Sequence, residues 1–200
     1  MSVVGGPSLR ERQAEQVRAS VLEAVTAQLE SRAVDDISMA DVAAASGVSL
    51  RTLYRYFPDR SSLLDAAARH VVDSLGLPVA IDGPGAVSAS FQDAARRFST
   101  RPELARALVK TTAGRTARSS VRPERSEAVA AALAPLTDGA DPGAARRAAA
   151  VITHLCSLSS WVTIADESGL SDREAQAAVA WAIDVLIHAL AAITEPEEQP

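Results

Sequence analysis

The chain contains a single cysteine, Cys156, so it cannot form an internal disulfide. Aromatic residues make up only 4% of its 200 residues, although hydrophobic residues make up 48%. Much of that apolar content is alanine, which is the strongest helix former. We therefore expect packed helices in a reducing compartment, with Cys156 as a small buried apolar side chain.

A secretory signal and a long apolar run are also missing. Residues 1–7 have neither a basic start nor a continuous apolar stretch. The most apolar window, residues 179–193, is interrupted by Asp184 and His188 and is shorter than the roughly 20 apolar residues that a membrane-spanning helix needs. The sequence predicts a cytoplasmic protein without a membrane partner.

Catalytic and metal-binding patterns are absent from the sequence as well. It has no HExxH, GxSxG, paired-cysteine or P-loop pattern. Its histidines, His70, His154 and His188, are poorly spaced for a metal site. His154 and Cys156 are two residues apart and would point in different directions on a helix. We expect no enzyme activity, no metal and no cofactor.

The net charge of −5 gives no support for a nucleic-acid partner. Residues 1–77 carry eight arginines against ten acidic residues, and residues 126–200 carry three basic against eleven acidic residues. Residues 96–125 are different, with nine basic residues against two acidic ones. This basic stretch could bind an anionic effector, approach a DNA backbone or simply be a solvated surface. DNA binding must therefore depend on a local patch.

Apolar residues recur at helical spacing along most of the chain, which predicts an all-α fold with about nine helices. Capping boxes at Ser8–Glu11 and Ser171–Glu174 predict two helix starts. Residues 114–122, rich in arginine, serine and threonine, are expected to form a mobile loop, and residues 142–167 one long helix. We expect a DNA-binding domain over residues 1–78 and a second helical domain over residues 79–200.

The segment 38–64, SMADVAAASGVSLRTLYRYFPDRSSLL, has the organisation of a helix-turn-helix. Ser38 is expected to cap the second helix, Gly47 to end it and Ser49 to cap a third helix that runs to Tyr56 or Phe57. Leu53 and Phe57 would point inward. The outward face of the third helix would carry side chains suited to the major groove, namely Arg51, Thr52, Tyr54 and Arg55.

The stretch GVSLRTLYRYFPDRSSLL resembles the signature of the tetracycline-repressor-like (TetR) regulators, and the resemblance extends over residues 9–77. It implies that Ser38, Tyr56 and Arg60 hold the DNA backbone and that the four outward residues face the groove. Arg60 stands where the family usually has lysine, which preserves a phosphate contact. Ala40 stands where some members place a DNA-contacting arginine, which removes a base contact.

Other interpretations of the same residues remain open. The two arginines of the third helix and Arg60 could be solvated surface, and Tyr54 and Tyr56 could belong partly to the core. Ser38 and Ser49 could serve as caps only, although a cap can also contact phosphate. A helical adaptor that binds only proteins would explain the bundle, but it would leave the outward face of the third helix without a role.

Beyond residue 78 the resemblance covers architecture only. It implies a ligand-responsive helical domain whose last two helices pair with those of a second subunit. Apolar residues on two faces of the last helix also favour a homodimer, with the expected interface at Val179, Ile183, Asp184, Leu186, Ile187, His188 and Leu190. Candidate effector-binding residues, each of which could instead be ordinary core or helix surface, are Phe91, Phe98, Leu108, Lys110, Thr111, His154 and Trp161.

Together these features predict a transcriptional regulator that binds a near-palindromic double-stranded DNA operator as a dimer. A small-molecule effector of unknown identity would release it. Repression by blocking the polymerase is the simplest outcome.

Overall fold

The computed structural model describes residues 8–31, 37–77, 80–138 and 141–194. Within these ranges the chain forms ten α-helices and one short 3-10 helix, Pro84–Ala86, and no strand. The all-α class is confirmed, with ten helices where about nine were expected. The helices are α1 (Leu9–Glu30), α2 (Met39–Ser46), α3 (Leu50–Tyr56), α4 (Arg60–Leu75), α5 (Val87–Phe98), α6 (Pro102–Lys110), α7 (Thr112–Thr137), α8 (Pro142–Leu155), α9 (Leu158–Ser168) and α10 (Asp172–Thr194).

The first helix begins as its sequence predicts. The Glu11 backbone N–H donates to Ser8 Oγ at 3.3 Å, and the Ser8 N–H donates to the Glu11 carboxylate at 2.7 Å. This capping box satisfies backbone groups that a helix start leaves unpaired. One face of α1 is buried against α2 and α4, and its apolar residues on that face are Val21, Leu22, Val25 and Leu29.

The turn between α2 and α3 depends on Gly47, whose φ of 70° lies in the left-handed region. The Val48 N–H donates to the Ala43 carbonyl at 3.1 Å, and so closes the end of α2. Leu53 and Phe57 then point inward and are almost completely buried. The tight exit and these two apolar anchors fix the direction of α3 relative to α2.

The fourth helix joins the N-terminal helices to the rest of the protein. Its first turns bury Leu63 and Leu64, and α4 packs against α1. Its later turns bury Ala68 and Val71, and α4 makes its most extensive contact with α7. One continuous helix therefore contacts both parts of the protein. The domain boundary at residue 78 stays a prediction.

The prediction of a mobile loop at residues 114–122 was wrong, because this segment belongs to the long helix α7. Small side chains form the buried face of this part of α7, namely Ala113, Gly114 and Ala117. They allow α6 and α7 to approach closely. A face of small residues lacks the large apolar side chains by which a helix is normally recognised in a sequence.

The single helix expected over residues 142–167 was also wrong. The structure has two helices there, α8 and α9, which are inclined to each other by 67°. Ser160 Oγ donates to the carbonyls of Leu155 and Ser157, at 2.6 and 2.7 Å, and so holds the junction. The bend brings Trp161 into the core, where it is 1% exposed.

The last helix, α10, begins at the predicted capping box, where the Ser171 N–H donates to Glu174 at 2.9 Å. Residues 172–192 form the one single helix of the described ranges that is long and apolar enough to cross a membrane. About a third of this stretch is buried inside the protein. A core helix of a soluble protein meets the same criterion, so the stretch is weak evidence for a membrane span.

Candidate nucleic-acid interface and cavity

The third helix presents its polar side chains to solvent, as the helix-turn-helix interpretation requires. Arg51, Tyr54 and Arg55 are exposed, and Thr52 is half-buried. Ser49 Oγ accepts a hydrogen bond from the Thr52 N–H at 3.1 Å and lies 2.9 Å from Thr52 Oγ1. Ser49 is therefore a helix cap that also positions one of the outward side chains.

Arg55 is held in place on its own helix. Its guanidinium carbon lies 5.1 Å from the centre of the Tyr56 ring, within the range of a cation–π contact. Tyr56 is half-buried and packs against the core, whereas Tyr54 is 46% exposed. The contact restricts Arg55 without covering it, so less conformational entropy would be lost when Arg55 binds a ligand.

Two further predicted residues have structural roles. Ser38 Oγ accepts from the Asp41 N–H at 3.4 Å and caps α2. Arg60 is half-buried, and its Nε donates to the Ile37 carbonyl at 3.0 Å, so it ties the start of α4 to the residue before Ser38. For both, contact with phosphate stays a prediction.

The structure adds residues that the sequence interpretation missed. A groove of about 810 Å³ lies between the start of α1 and the α2–α3 turn. Arg10, Gln13 and Gln16 line it together with Arg55, and no carboxylate is among its described lining residues. Arg10 lies seven residues, or about two helical turns, before Val17. It therefore shares the face of α1 that carries the apolar stripe, and this spacing could have identified it from the sequence.

A cavity of about 640 Å³ lies among α4 to α9. Ligand pockets commonly measure roughly 300–1,000 Å³. Five of the seven effector-site candidates line it, namely Phe91, Phe98, Leu108, His154 and Trp161. The basic stretch of residues 96–125 was one candidate for an anionic effector, but its arginines were not expected in a cavity wall, because residues 114–122 were interpreted as a loop.

The other two effector-site candidates lie elsewhere. Lys110 Nζ contacts Asp166 at 2.6 Å in an exposed ion pair. Thr111 Oγ1 accepts from the Gly114 N–H and donates to the Ala107 carbonyl, both at 2.9 Å. Their side chains connect helices and are not among the residues that line the cavity.

The thiol of Cys156 faces this cavity and is buried. Burial raises the pKa of Cys156 to about 11, against a smaller opposing effect of the positive charge on Arg125. The group is therefore a neutral thiol near neutral pH. Among the described residues, no three histidine, cysteine or acidic side chains are grouped so as to hold a metal.

The residues expected at a dimer interface fall into two groups. Val179, Ile183 and Leu190 are buried inside the chain itself, so they cannot form the surface that a partner contacts. They lie on the face of α10 that the domain core covers. Asp184 and His188 are exposed, and Leu186 and Ile187 are half-buried. The most exposed apolar side chains of α10 are Trp181 and Val185 (69% and 46% exposed).

Residues 21–67 match the family described as "Bacterial regulatory proteins, tetR family". The HTH-type transcriptional repressor LfrR of Mycolicibacterium smegmatis is 39% identical over 67 residues, which is 34% of each chain. The HTH-type transcriptional regulator BetI of Proteus mirabilis is 36% identical over 81 residues, 40% of this chain and 37% of that one. The matched part spans about a third of the length of these relatives.

Solved structures resemble the chain over most of its length. A tetR-family transcriptional regulator from Streptomyces coelicolor has a TM-score of 0.56 at 19% identity, covering 93% of this chain and 92% of that one. NalD, the secondary repressor of the MexAB-OprM multidrug efflux pump in Pseudomonas aeruginosa, has a TM-score of 0.60 at 15% identity, covering 94% of this chain and 100% of that one. At these identities the likeness shows the fold.

Proposed function

We propose that this chain is a transcriptional repressor acting in the cytoplasm, because residues 21–67 match the tetR family of bacterial regulatory proteins. The exposed polar face of α3 is the observation that carries this proposal. Arg51 and Arg55 offer bidentate donors to guanine, and Thr52 offers a methyl and a hydroxyl group to a base edge. Leu53 and Phe57 beneath them are almost completely buried and anchor the helix that presents them together.

DNA docking would use α3 in the major groove and its neighbours on the backbone. Ser38 and Tyr56 would contact phosphates on either side, and Arg60 would stabilise the approach from the start of α4. The groove beside α1 would add Arg10 and the glutamines to the backbone contacts. Phosphate contacts of this kind set orientation and salt dependence, whereas the α3 residues set the sequence that is bound.

The operator would be near-palindromic because the protein would bind it as a homodimer. Val151 of α8 is 48% exposed, and Trp181 and Val185 of α10 are similarly uncovered, although α8 and α10 pack together. Two helices with exposed apolar side chains can form a four-helix interface with a second copy. Such a dimer would present two α3 helices about 34–36 Å apart, or at a multiple of that spacing.

An effector in the cavity would act through α4. Ala68, Val71 and Val72 of this helix line the cavity, and the first residue of the same helix, Arg60, is bonded to Ile37 beside α2. A ligand that favours a different position of α4 would change the spacing of the two α3 helices. By linkage, bound DNA would weaken effector binding, and bound effector would weaken DNA binding, by the same coupling free energy, typically ~1–3 kcal/mol.

Selection of genomic fragments by the purified full-length protein, followed by gel shifts at two salt concentrations, tests this function. We expect a near-palindromic site bound by a dimer. In Arg51→Ala, the difference in binding free energy between this site and other DNA should fall by about 1–3 kcal/mol. Arg147→Ala, which removes an exposed arginine of α8, is the matched control. Weak binding without sequence preference would overturn the proposal and favour a protein-binding adaptor.

A further inference from the structure

One wall of the cavity is strongly cationic. Four arginines of α7, spaced three and four residues apart, share one face of the helix and line the cavity, namely Arg115, Arg118, Arg122 and Arg125. Glu124 is the one carboxylate among the described residues that line it. Its Oε1 already accepts a hydrogen bond from Arg69 at 2.9 Å. The cavity therefore carries a positive charge that its own wall does not balance.

Two of the four arginines have clear partners inside the protein. Arg115 donates to the Lys110 carbonyl at 2.5 Å and to Thr112 at 3.3 Å, which directs it along α7. Arg125 donates from Nη1 to Ser90 Oγ at 3.1 Å, which joins α7 to α5. These bonds hold the arginine face of α7 in a fixed position.

Within the described residues, Nη1 of Arg118 is buried and has no hydrogen-bond partner. A buried donor without a partner is costly, and a charged one more so. Burial lowers the pKa of Arg118, and the charges of Arg122 and Arg115 lower it further. Arginine nevertheless stays protonated in proteins, so this site stores an unfavourable free energy that a bound anion would relieve.

Many of the other residues that line the cavity are apolar. Phe91 and Phe98 of α5, Leu108 of α6 and Trp161 of α9 line the same cavity as the arginines. Such a surface favours a hydrocarbon or aromatic body, since apolar area is removed from water there. The cavity thus combines apolar lining residues with the planar guanidinium of Arg118, whose Nη1 is buried and whose two donors match a carboxylate.

We propose that this cavity binds an amphipathic organic anion, whose carboxylate is held by Arg118 and whose apolar body lies against Phe91, Phe98 and Trp161. The inference deepens the proposed function, because it names the chemical class of the effector and rests on the cavity being the effector site. The positive charge of the α7 arginines also repels an apolar cation of the same size, so such a cation should bind weakly. Charge, and not only size, would select the ligand.

Calorimetric titration of the full-length protein, without DNA, tests the ligand class with four probes. They are dodecanoate, dodecanol, dodecylamine and acetate, all used below the concentrations at which they aggregate. We expect dodecanoate to bind at least about tenfold more tightly than dodecanol, and acetate and dodecylamine to give no measurable heat. Equal binding of the alcohol and the carboxylate, or tight binding of the amine or of acetate, would overturn the proposal.

Substitution of Arg118, which is half-buried, locates the anion. Arg118→Met should abolish the preference for dodecanoate over dodecanol and leave dodecanol binding intact, whereas Arg147→Met, at an exposed position of α8, should keep the preference. Arg118→Gln, which retains hydrogen-bond donors, is the second variant, and circular dichroism shows that both fold. An unchanged preference in a folded Arg118 variant would refute the role of this residue.

Gel shifts with the selected operator keep this inference separate from the proposed function. Release of DNA by dodecanoate but not by dodecanol supports both. Binding of dodecanoate without release of DNA would retain the ligand class and overturn the coupling through α4. Release of DNA by dodecanol and dodecanoate at equal concentrations would retain the repressor and overturn the ligand class.

Discussion

Arg69 Nη1 lies 2.9 Å from Glu124 Oε1, so one ion pair joins α4 to the helix that supplies the cationic wall of the cavity. The two side chains are 58% and 53% exposed. Exposed ion pairs contribute little to stability, because solvent screens them and holding two long side chains costs entropy. Its position matters more than its strength, since α4 also packs against α1 among the N-terminal helices.

Removal of this ion pair should therefore alter coupling without unfolding the protein. We expect Arg69→Met to keep the urea midpoint of unfolding and to reduce the factor by which dodecanoate lowers operator affinity, measured by gel shift. Arg96→Met, which removes an exposed ion pair within α5, is the control and should leave that factor unchanged. A shifted midpoint, or an unchanged factor in Arg69→Met, would contradict this view of the pair.

Arg10 is expected to contact the DNA backbone, because it lines the groove beside Arg55. Arg10→Ala should weaken binding to all sequences to a similar degree and reduce the slope of log affinity against log salt by about one. Filter binding over a salt series, with operator and scrambled DNA, measures both effects. A loss confined to the operator would instead assign Arg10 to base recognition, and no loss would remove it from the interface.

Gly114 should tolerate no larger residue. A Cβ at this position would lie 2.6 Å from the Cα atom of Leu108 and against the Ala107 carbonyl, which are backbone atoms of α6 that cannot move aside cheaply. We expect Gly114→Ala to lower the free energy of unfolding by about 1–3 kcal/mol, the usual cost of overpacking. Gly85→Ala, where nothing lies within 4 Å, is the control in the same urea titration. Equal midpoints for the two variants would contradict the close approach of α6 and α7.

Trp181 should determine the oligomeric state. Its 69% exposure is unusual for a large apolar side chain, and a second subunit would remove that area from water. We expect Trp181→Asp to convert the dimer to a folded monomer in analytical ultracentrifugation. Leu9→Asp, an equally drastic change at an exposed position of α1, should leave the dimer intact. A dimeric Trp181→Asp variant would place the interface elsewhere.

The capping box of α10 should make stability depend on pH. Hydrogen bonds from the Ser171 hydroxyl and backbone lower the pKa of Glu174 below its usual value of 4.5. Because the folded pKa is the lower one, the carboxylate stabilises the fold above pH 4.5, and this contribution is lost as the pH falls through the folded pKa.

Glu174→Gln removes that titration. The difference in thermal midpoint between wild type and this variant should be largest near neutral pH and should shrink as the medium becomes more acidic than pH 4.5. Glu167→Gln, at the end of α9 and outside the capping box, is the control. A difference that grows on acidification would reverse the sign and refute the interpretation.

The N-terminal helices could be predicted closely from sequence because their signals are local. Caps at Ser8, Ser38 and Ser49, and the left-handed Gly47, mark helix ends through backbone chemistry that does not depend on the rest of the fold. The predicted and observed ends of α2 and α3 differ by about one residue. The outward-facing residues of α3 could be identified from the helical periodicity of its sequence.

The C-terminal half was harder because its signals depend on tertiary contacts. Residues 114–122 form a helix whose small side chains fit against α6 and whose arginines line a cavity. Neither α6 nor the cavity can be recognised from the sequence of this segment alone. The break at Ser157 carries no glycine or proline. The faces of α10 could be separated, but which face the core covers could not be read from periodicity alone.

The arginine wall comes from a single helix, whereas most of the apolar wall comes from the five helices around it. The sign of the ligand's charge and the shape of its body are therefore specified by separate stretches of sequence. Point substitutions on one face of α7 could redirect the protein to a neutral or cationic compound while the cavity and the α3 surface stay as they are. Under the proposed function, duplicated copies of such a gene could diverge in the signal they sense without first losing the promoter they control.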